Sequence, residues 1–223
     1  MSSFSVQRIE NGAFRENAWL AVCGEAGEAA LVDPGADGPR IVAAARSAAL
    51  DVREVILTHG HVDHISALPE VLAAFPRATV RLSPEDAAWC FTEENAIGPY
   101  EVPPPPPDSS VRPVRDGSEF RVGSVLFRAI ATPGHSPGGT SYLALDAAAE
   151  DPSAAPLALF TGDTLFAGTI GRTDFPGSDP KAMEKSLSRL AALPPRTRVC
   201  PGHGPATTIS RELATNPFLR NGN

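Results

Sequence analysis

Short apolar runs recur along the chain, set apart by turn residues, and their period switches between two and about 3.6. In the first third, residues 4–9, 19–23 and 29–32 predict strands, punctuated by Asn11-Gly12, Gly24 and Asp33-Pro34-Gly35. Residues 41–50 predict a helix, and residues 52–57, short and β-branched, predict a buried strand that ends at Thr58. Ile65, Leu68, Val71, Leu72 and Phe75 repeat at helical spacing, so residues 65–75 predict one helix. Residues 80–82 predict a short strand. Pro84 then opens a further helix with Glu85 and Asp86 in its first turn, where acidic groups suit the helix dipole.

The middle of the chain breaks this rhythm. Residues 103–107 are an unbroken proline run, excluded from helix and inner strand and read as a stiff surface connector, either without a role or as a lid. Beyond it, residues 111–114, 125–131, 140–145 and 157–161 predict strands, with residues 147–156 as a surface insertion between the last two. Residues 180–193 predict an amphipathic helix and residues 198–200 a last buried strand. Strands in runs, with helices interspersed in both halves, favour an α/β fold of two stacked sheets with helices outside over a doubly wound parallel sheet.

Composition narrows the function. With 19 Lys and Arg against 26 Asp and Glu, the net charge of -7 argues against broad binding to a phosphate backbone, so no nucleic-acid partner is expected. No apolar run approaches the roughly 20 residues needed to span a bilayer, so no membrane partner is expected either. The opening MSSFSVQRIE lacks the features of a signal peptide, which points to the cytoplasm. Cys23, Cys90 and Cys200, an odd number without a close pair, read as core residues rather than a disulfide framework.

The chemistry concentrates elsewhere. Thr58-His59-Gly60-His61-Val62-Asp63-His64 holds three of the five histidines, and imidazole suits zinc, iron and copper. His59 and His61 can face one ion from an extended loop, whereas Asp63 and His64 begin a helix turned away from them; the spacing suits two neighbouring ions better than one. His135 in Pro133-Gly134-His135, Asp163 in Gly162-Asp163-Thr164 and His203 in Pro201-Gly202-His203 each follow an apolar strand, with a glycine that permits close approach. One loop histidine is usually a solvated surface group, but here every histidine falls in such a setting.

Together, H-x-H-x-D-H, Gly134-His135, Gly162-Asp163 and Gly202-His203 resemble the metallo-β-lactamase superfamily over nearly the whole chain, from Val32-Asp33-Pro34-Gly35 to Asn216-Pro217-Phe218-Leu219. The resemblance implies a four-layer αβ/βα sandwich, a single domain over residues 1–223, with the site at one edge of the sheets. Gly162-Asp163-Thr164-Leu165-Phe166 and Pro201-Gly202-His203-Gly204-Pro205 are most similar to glyoxalase II-like hydrolases, also called hydroxyacylglutathione hydrolases. By motif, His59, His61 and His135 would hold one divalent ion, Asp63, His64 and His203 a second, and Asp163 would bridge both. Zinc is the first expectation, with iron or manganese as alternatives. Asp33 is either a plain turn residue or a support for the ligands.

The resemblance implies hydrolysis of a small-molecule thioester such as S-lactoylglutathione. Water would be activated by the metals and oriented by Asp63, without a Ser or Cys nucleophile; no G-x-S-x-G elbow occurs. Only 20 residues follow His203, and Gly171-Arg172-Thr173-Asp174-Phe175 replaces the lysine and tyrosine usual in the glutathione-specific enzymes. Arg172 would either meet a substrate carboxylate or pair with Asp174. The same stretch also resembles persulfide dioxygenases, in which one iron would be held by His59, His135 and Asp163. A non-enzymatic zinc module is a third possibility, disfavoured by an intact second ligand set.

Overall fold

The computed structural model describes residues 4–149 and 155–220. Two six-stranded mixed sheets carry the fold. The first holds β1 (Phe4–Asn11), β2 (Glu16–Cys23), β3 (Glu28–Val32), β4 (Asp51–Ile56), β5 (Thr79–Leu82) and β6 (Val111–Pro113), in that order. The β1–β2–β3 part is antiparallel, and β3 through β6 run parallel. The second sheet holds β7 (Glu119–Val122), β8 (Val125–Ala131), β9 (Thr140–Asp146), β10 (Ala158–Gly162), β11 (Arg198–Pro201) and β12 (Thr207–Thr208), all antiparallel except for β10 beside β11. Helices α1 (Gly38–Ser47), α2 (Val62–Ile65), α3 (Leu68–Ala74) and α4 (Pro84–Ala87) lie in the first half of the chain. Helices α5 (Pro180–Ala191), α6 (Ile209–Thr215) and α7 (Pro217–Arg220) lie in the second.

Three apolar cores make this a four-layer αβ/βα sandwich. Alternate residues of one strand reach opposite faces. In β2, Trp19 and Ala21 point between the sheets, onto Phe127, Tyr142 and Phe160, while Ala18 and Leu20 point out to Ile41 of α1 and Val71 of α3. Strands buried on both faces read as continuous apolar runs rather than alternating ones. The third core lies outside the second sheet, where Met183, Leu187 and Leu190 of α5 cover Leu143, Leu159 and Val199. The three cysteines sit unpaired within these cores.

Several boundaries differ from expectation. The helix over residues 65–75 is split into α2 and α3. At the break, Ala67 N donates to Pro34 O and Gly35 O at 3.1 and 2.7 Å, and the Ser66 hydroxyl donates to Gly35 O. Those bonds tie the chain to the Asp33-Pro34-Gly35 turn instead of continuing the helical ladder, and Pro69 lacks the N–H to resume it until α3 is under way. α1 starts three residues earlier than expected and ends at Ser47, because Ala49 is left-handed (φ 52°) and Leu50 N turns back to Ala45 O. α5 stops at Ala191. Strands β7, short and half polar, and β12, only two threonines, escaped the sequence pattern. Residues 103–107 have no regular structure, as their prolines require. Of the expected insertion at 147–156, residues 150–154 lie outside the described residues.

Candidate metal centre

The C-terminal ends of β3, β4, β8, β10 and β11 meet at one edge of the sandwich, and each delivers part of the site. β2 ties the two sheets together there: Trp19 Nε1 donates to Pro201 O at 2.9 Å, and Asn17 Nδ2 donates to Pro201 O and Gly204 O at 3.0 and 2.8 Å. His59, His61, Asp63 and His64 follow β4, His135 follows β8, Asp163 follows β10 and His203 follows β11. Glycine is required at two of these turns. Gly162 has φ 48° with Thr58 packed against its α-carbon, and a side chain on Gly202 would collide with Asp163 Oδ1 and lie 2.7 Å from His64 Cε1.

The hydrogen bonds settle which ring nitrogens are free. Carbonyl oxygens only accept, so His135 Nδ1, 2.8 Å from Arg172 O, and His203 Nδ1, 3.1 Å from Phe14 O, both carry protons. The Thr58 hydroxyl donates to Asp33 Oδ2 at 2.6 Å and therefore accepts from His59 Nδ1 at 3.0 Å. His64 Nδ1 donates to the same Asp33 oxygen at 3.2 Å. The Nε2 atoms of these four histidines are thereby left to face inward. His59 Nε2 and Asp163 Oδ1 are buried without a hydrogen-bond partner.

These inward atoms converge. His61 Nδ1 is 2.8 Å from His135 Nε2, and His64 Nε2 is 3.3 Å from His203 Nε2. Asp163 lies between the two groups: Oδ1 is 3.4 Å from His64 Nε2, and Oδ2 is 3.5 Å from both His135 Nε2 and His203 Nε2. Asp63 Oδ2 is 3.4 Å from His203 Nε2. Two ligands at 2.0–2.1 Å from a tetrahedral ion stand about 3.3 Å apart. The residues present thus fit metal ions. His59, His61 and His135 form one group with ligand atoms within 4.8 Å of each other, and Asp63, His64 and His203 form another. Asp33 also approaches His59 and His64, and its oxygens accept from Thr58 N at 2.7 Å, the Thr58 hydroxyl and His64, hydrogen bonds that suit it to supporting the ligand rings. Its left-handed backbone (φ 50°) marks local strain at the site.

Electrostatics follow the same division. Burial, reinforced by neighbouring imidazoles, holds His59 well below the usual histidine range and His61 down at about 4. Burial also opposes charge on His64, but Asp63, Asp163 and Asp33 outweigh it and push that imidazole up to about 10. His203 is raised, its burial outweighed by Asp63 and Asp163. Asp63 is lowered because His64 and His203 overcome the burial that would raise it. A buried knot of carboxylates and imidazoles is therefore suited to positive charge.

Sequence reasoning missed the scaffold of this centre. Buried Asp86 accepts from Gly60 N, Ser136 Oγ and Gly138 N at 2.7–2.8 Å and from Trp89 Nε1 at 3.3 Å, so it joins the loops of His59–His61 and His135. Burial raises its carboxyl, against the pull of those donors. Tyr100 donates to Glu16 at 2.9 Å and accepts from Ala13 N and Phe14 N at 2.7 and 3.1 Å, fixing the turn whose carbonyl holds His203. Arg172 forms a bidentate pair with Asp174 at 2.8 and 2.9 Å, the second of the two arrangements expected for it. A cavity of about 720 Å³ between α5 and α7, lined by Met183, Leu187, Leu213 and Phe218, dwarfs the hollow of about 10 Å³ beside His59 and His135. Among the described residues it carries no convergent set of ligand atoms, so the candidate site is the cluster at the sheet edge.

A four-layer αβ/βα sandwich with a His/Asp cluster where its sheets meet defines a class of metal-dependent proteins. Residues 11–147 and 158–203 match the metallo-beta-lactamase superfamily, and the chain belongs to it. Members bind divalent metals, and the His/Asp cluster described above offers residues that could hold such ions. A probable metallo-hydrolase of Streptococcus pyogenes is 33% identical over 85% of this chain and 80% of its own. The hydroxyacylglutathione hydrolase GloC of Haemophilus influenzae is 29% identical over 96% and 98%. Among solved structures, the BLEG-1 B3 metallo-beta-lactamase superposes with a TM-score of 0.83 at 30% identity over 96% of this chain and 99% of that one. TTHA1623, solved in a di-iron-bound form, gives 0.78 at 37% over 96% and 100%. ETHE1 from Myxococcus xanthus gives 0.73 at 29% over 96% and 83%.

Proposed function

We propose that this chain is a single-domain, metal-dependent thioester hydrolase of the glyoxalase II-like kind. His59, His61 and His135 would hold one divalent ion and Asp63, His64 and His203 a second, with Asp163 lying between the two groups. The convergence of five imidazole nitrogens and two carboxylates, with His59 Nε2 and Asp163 Oδ1 buried and unpartnered, carries this assignment. All the ligand atoms are nitrogen or oxygen, a set compatible with zinc, iron or manganese. The di-iron form of TTHA1623 supports iron as an alternative to zinc. Three buried, unpaired thiols suit a reducing compartment such as the cytoplasm.

Ions bound there supply Lewis acidity toward water and toward a carbonyl oxygen. The chain's own groups do the rest. Asp63, kept ionised by His64 and His203, would orient the attacking water. Asp33 and Thr58 fix the rings of His59 and His64, and Asp86 holds the two ligand loops in register. Hydrolysis adds one water across the C–S bond and releases a carboxylic acid and a thiol. A thiolate leaves readily because its pKa lies far below that of an alkoxide. The name of the GloC relative supports a thioester, the class to which S-lactoylglutathione belongs.

The test is turnover of a thioester panel by the full chain, lost with chelator and restored by added zinc. His61→Ala and Asp163→Ala are each expected to abolish turnover and leave the circular dichroism spectrum unchanged. Full activity in either variant contradicts the ligand assignment. A second reading, a one-iron dioxygenase on His59, His135 and Asp163, is supported by the residue types, two imidazoles and one carboxylate, that such iron chemistry uses, and by His135 Nε2 lying 3.5 Å from Asp163 Oδ2. Oxygen uptake on glutathione persulfide, without thioester turnover, would establish it instead.

A further inference from the structure

Half-exposed aromatic rings border the ligand cluster, and hydrolysis as described above makes no use of them. Trp89 stands 5.4 Å from His61, ring to ring, while Phe175 stands 5.4 Å from His61 and 5.8 Å from His135. Phe166 lies 5.9 Å from His203, and Phe14, 44% exposed, carries the carbonyl that holds the same histidine. The polar atoms of this rim are turned away or matched. Trp89 donates its one N–H to Asp86, so the part of the ring that reaches solvent is hydrocarbon. Arg172 lies 4.3 Å over the Phe175 ring with both donating arms on Asp174, and Arg15, next to Phe14, donates to Glu10 at 2.9 Å. Arg172 is thus matched by a carboxylate of its own, while Glu10 is shared by Arg15 and Arg8, whose other arm donates to Gly204 O at 2.9 Å. The chain as a whole carries a net charge of -7, which repels anionic substrates.

We propose that the site selects a neutral, apolar thioester, whose flat or aryl group packs against Trp89 and Phe175 beside His61. The inference rests on thioester hydrolysis as the reaction and narrows the substrate: a carrier thiol with two carboxylates, such as glutathione, finds the arginine beside the Trp89–Phe175 rim, Arg172, already held bidentately by Asp174. Aromatic walls are well matched to a flat apolar group, since ring contacts add to simple burial. Seating that group also orients the scissile carbonyl toward the ligand cluster, so the preference should appear in kcat/KM.

Binding and turnover test this separately. Trp89 and buried Trp19 are the only tryptophans, so emission from Trp89 reports on the rim. S-phenethyl-N-acetylcysteamine, a neutral thioether that cannot be hydrolysed, is expected to quench that emission and to bind at least tenfold more tightly than S-phenethylglutathione. Phe175→Ala should weaken the neutral ligand about tenfold, and Trp89→Phe should remove the signal. In turnover, the phenylacetyl thioester of N-acetylcysteamine should exceed the acetyl thioester at least tenfold in kcat/KM, with the gap shrinking in Phe175→Ala. Equal or tighter binding of the glutathione thioether, or an acyl preference untouched by Phe175→Ala, overturns the proposal. Binding as expected with no thioester cleaved leaves the rim assignment standing and removes the hydrolase reading instead.

Discussion

Asp86 shows how much of this site depends on a residue that touches no candidate ligand. Four donors from three segments end on one buried carboxylate. Asp86→Ala would strand all four, at a cost of about 1–3 kcal/mol for each buried group left unpaired, less what water recovers. A total loss of roughly 3 kcal/mol or more is expected in the urea midpoint, with Asp86→Asn intermediate because it keeps one acceptor oxygen. A change below about 1 kcal/mol would mean that the loops hold themselves. Asp33 and the seven candidate ligands were legible in the sequence, since each sits in a short turn motif just after an apolar run. Asp86 was not. An acid in the first turn of a helix has a sufficient local explanation, and three of its four partners lie 26 to 52 residues away.

At the level of elements, the β1–β2 turn is pinned by a segment that reads as loop. Tyr100 links the Ala13–Phe14 amides to Glu16, and the Phe14 carbonyl fixes the His203 ring. Tyr100→Phe removes both the acceptor and the donor. It is expected to reduce metal retained after dialysis by up to half, by loosening the His203 side, while the melting temperature falls only a few degrees. Unchanged metal content would show that His203 is held without the clamp. The strands central to each sheet were readable because burial on both faces makes them continuous apolar runs. The break between α2 and α3 was not, because the helical period of residues 65–75 continues through it while the backbone bonds go to Pro34 and Gly35. β7 was missed for a related reason: Phe120 and Val122 alone face the core, too short an alternation to stand out.

For the whole molecule, the three cores set both stability and reactivity. Burial pushes the thiols of Cys23, Cys90 and Cys200 up to about 12. In the unfolded chain they would ionise near 8.5. Between those values the unfolded chain has lost protons that the folded chain keeps, so this contribution to stability is complete below about pH 8.5 and is lost as the pH rises toward 12. With three thiols the slope reaches about 4 kcal/mol per pH unit. Urea midpoints measured from pH 8 to 11 should therefore fall, and iodoacetamide at pH 8 should label the protein only once it is unfolded. Rapid labelling of the native chain would contradict the packing of these cores. The same cores bring five strand ends to one edge, and the function argued for this chain depends on what gathers there. Anomalous diffraction from crystals grown with zinc tests that most directly. The expected map has two peaks, one among His59, His61 and His135 and the other among Asp63, His64 and His203, with Asp163 reaching both. A map with no peak at this edge would contradict the account.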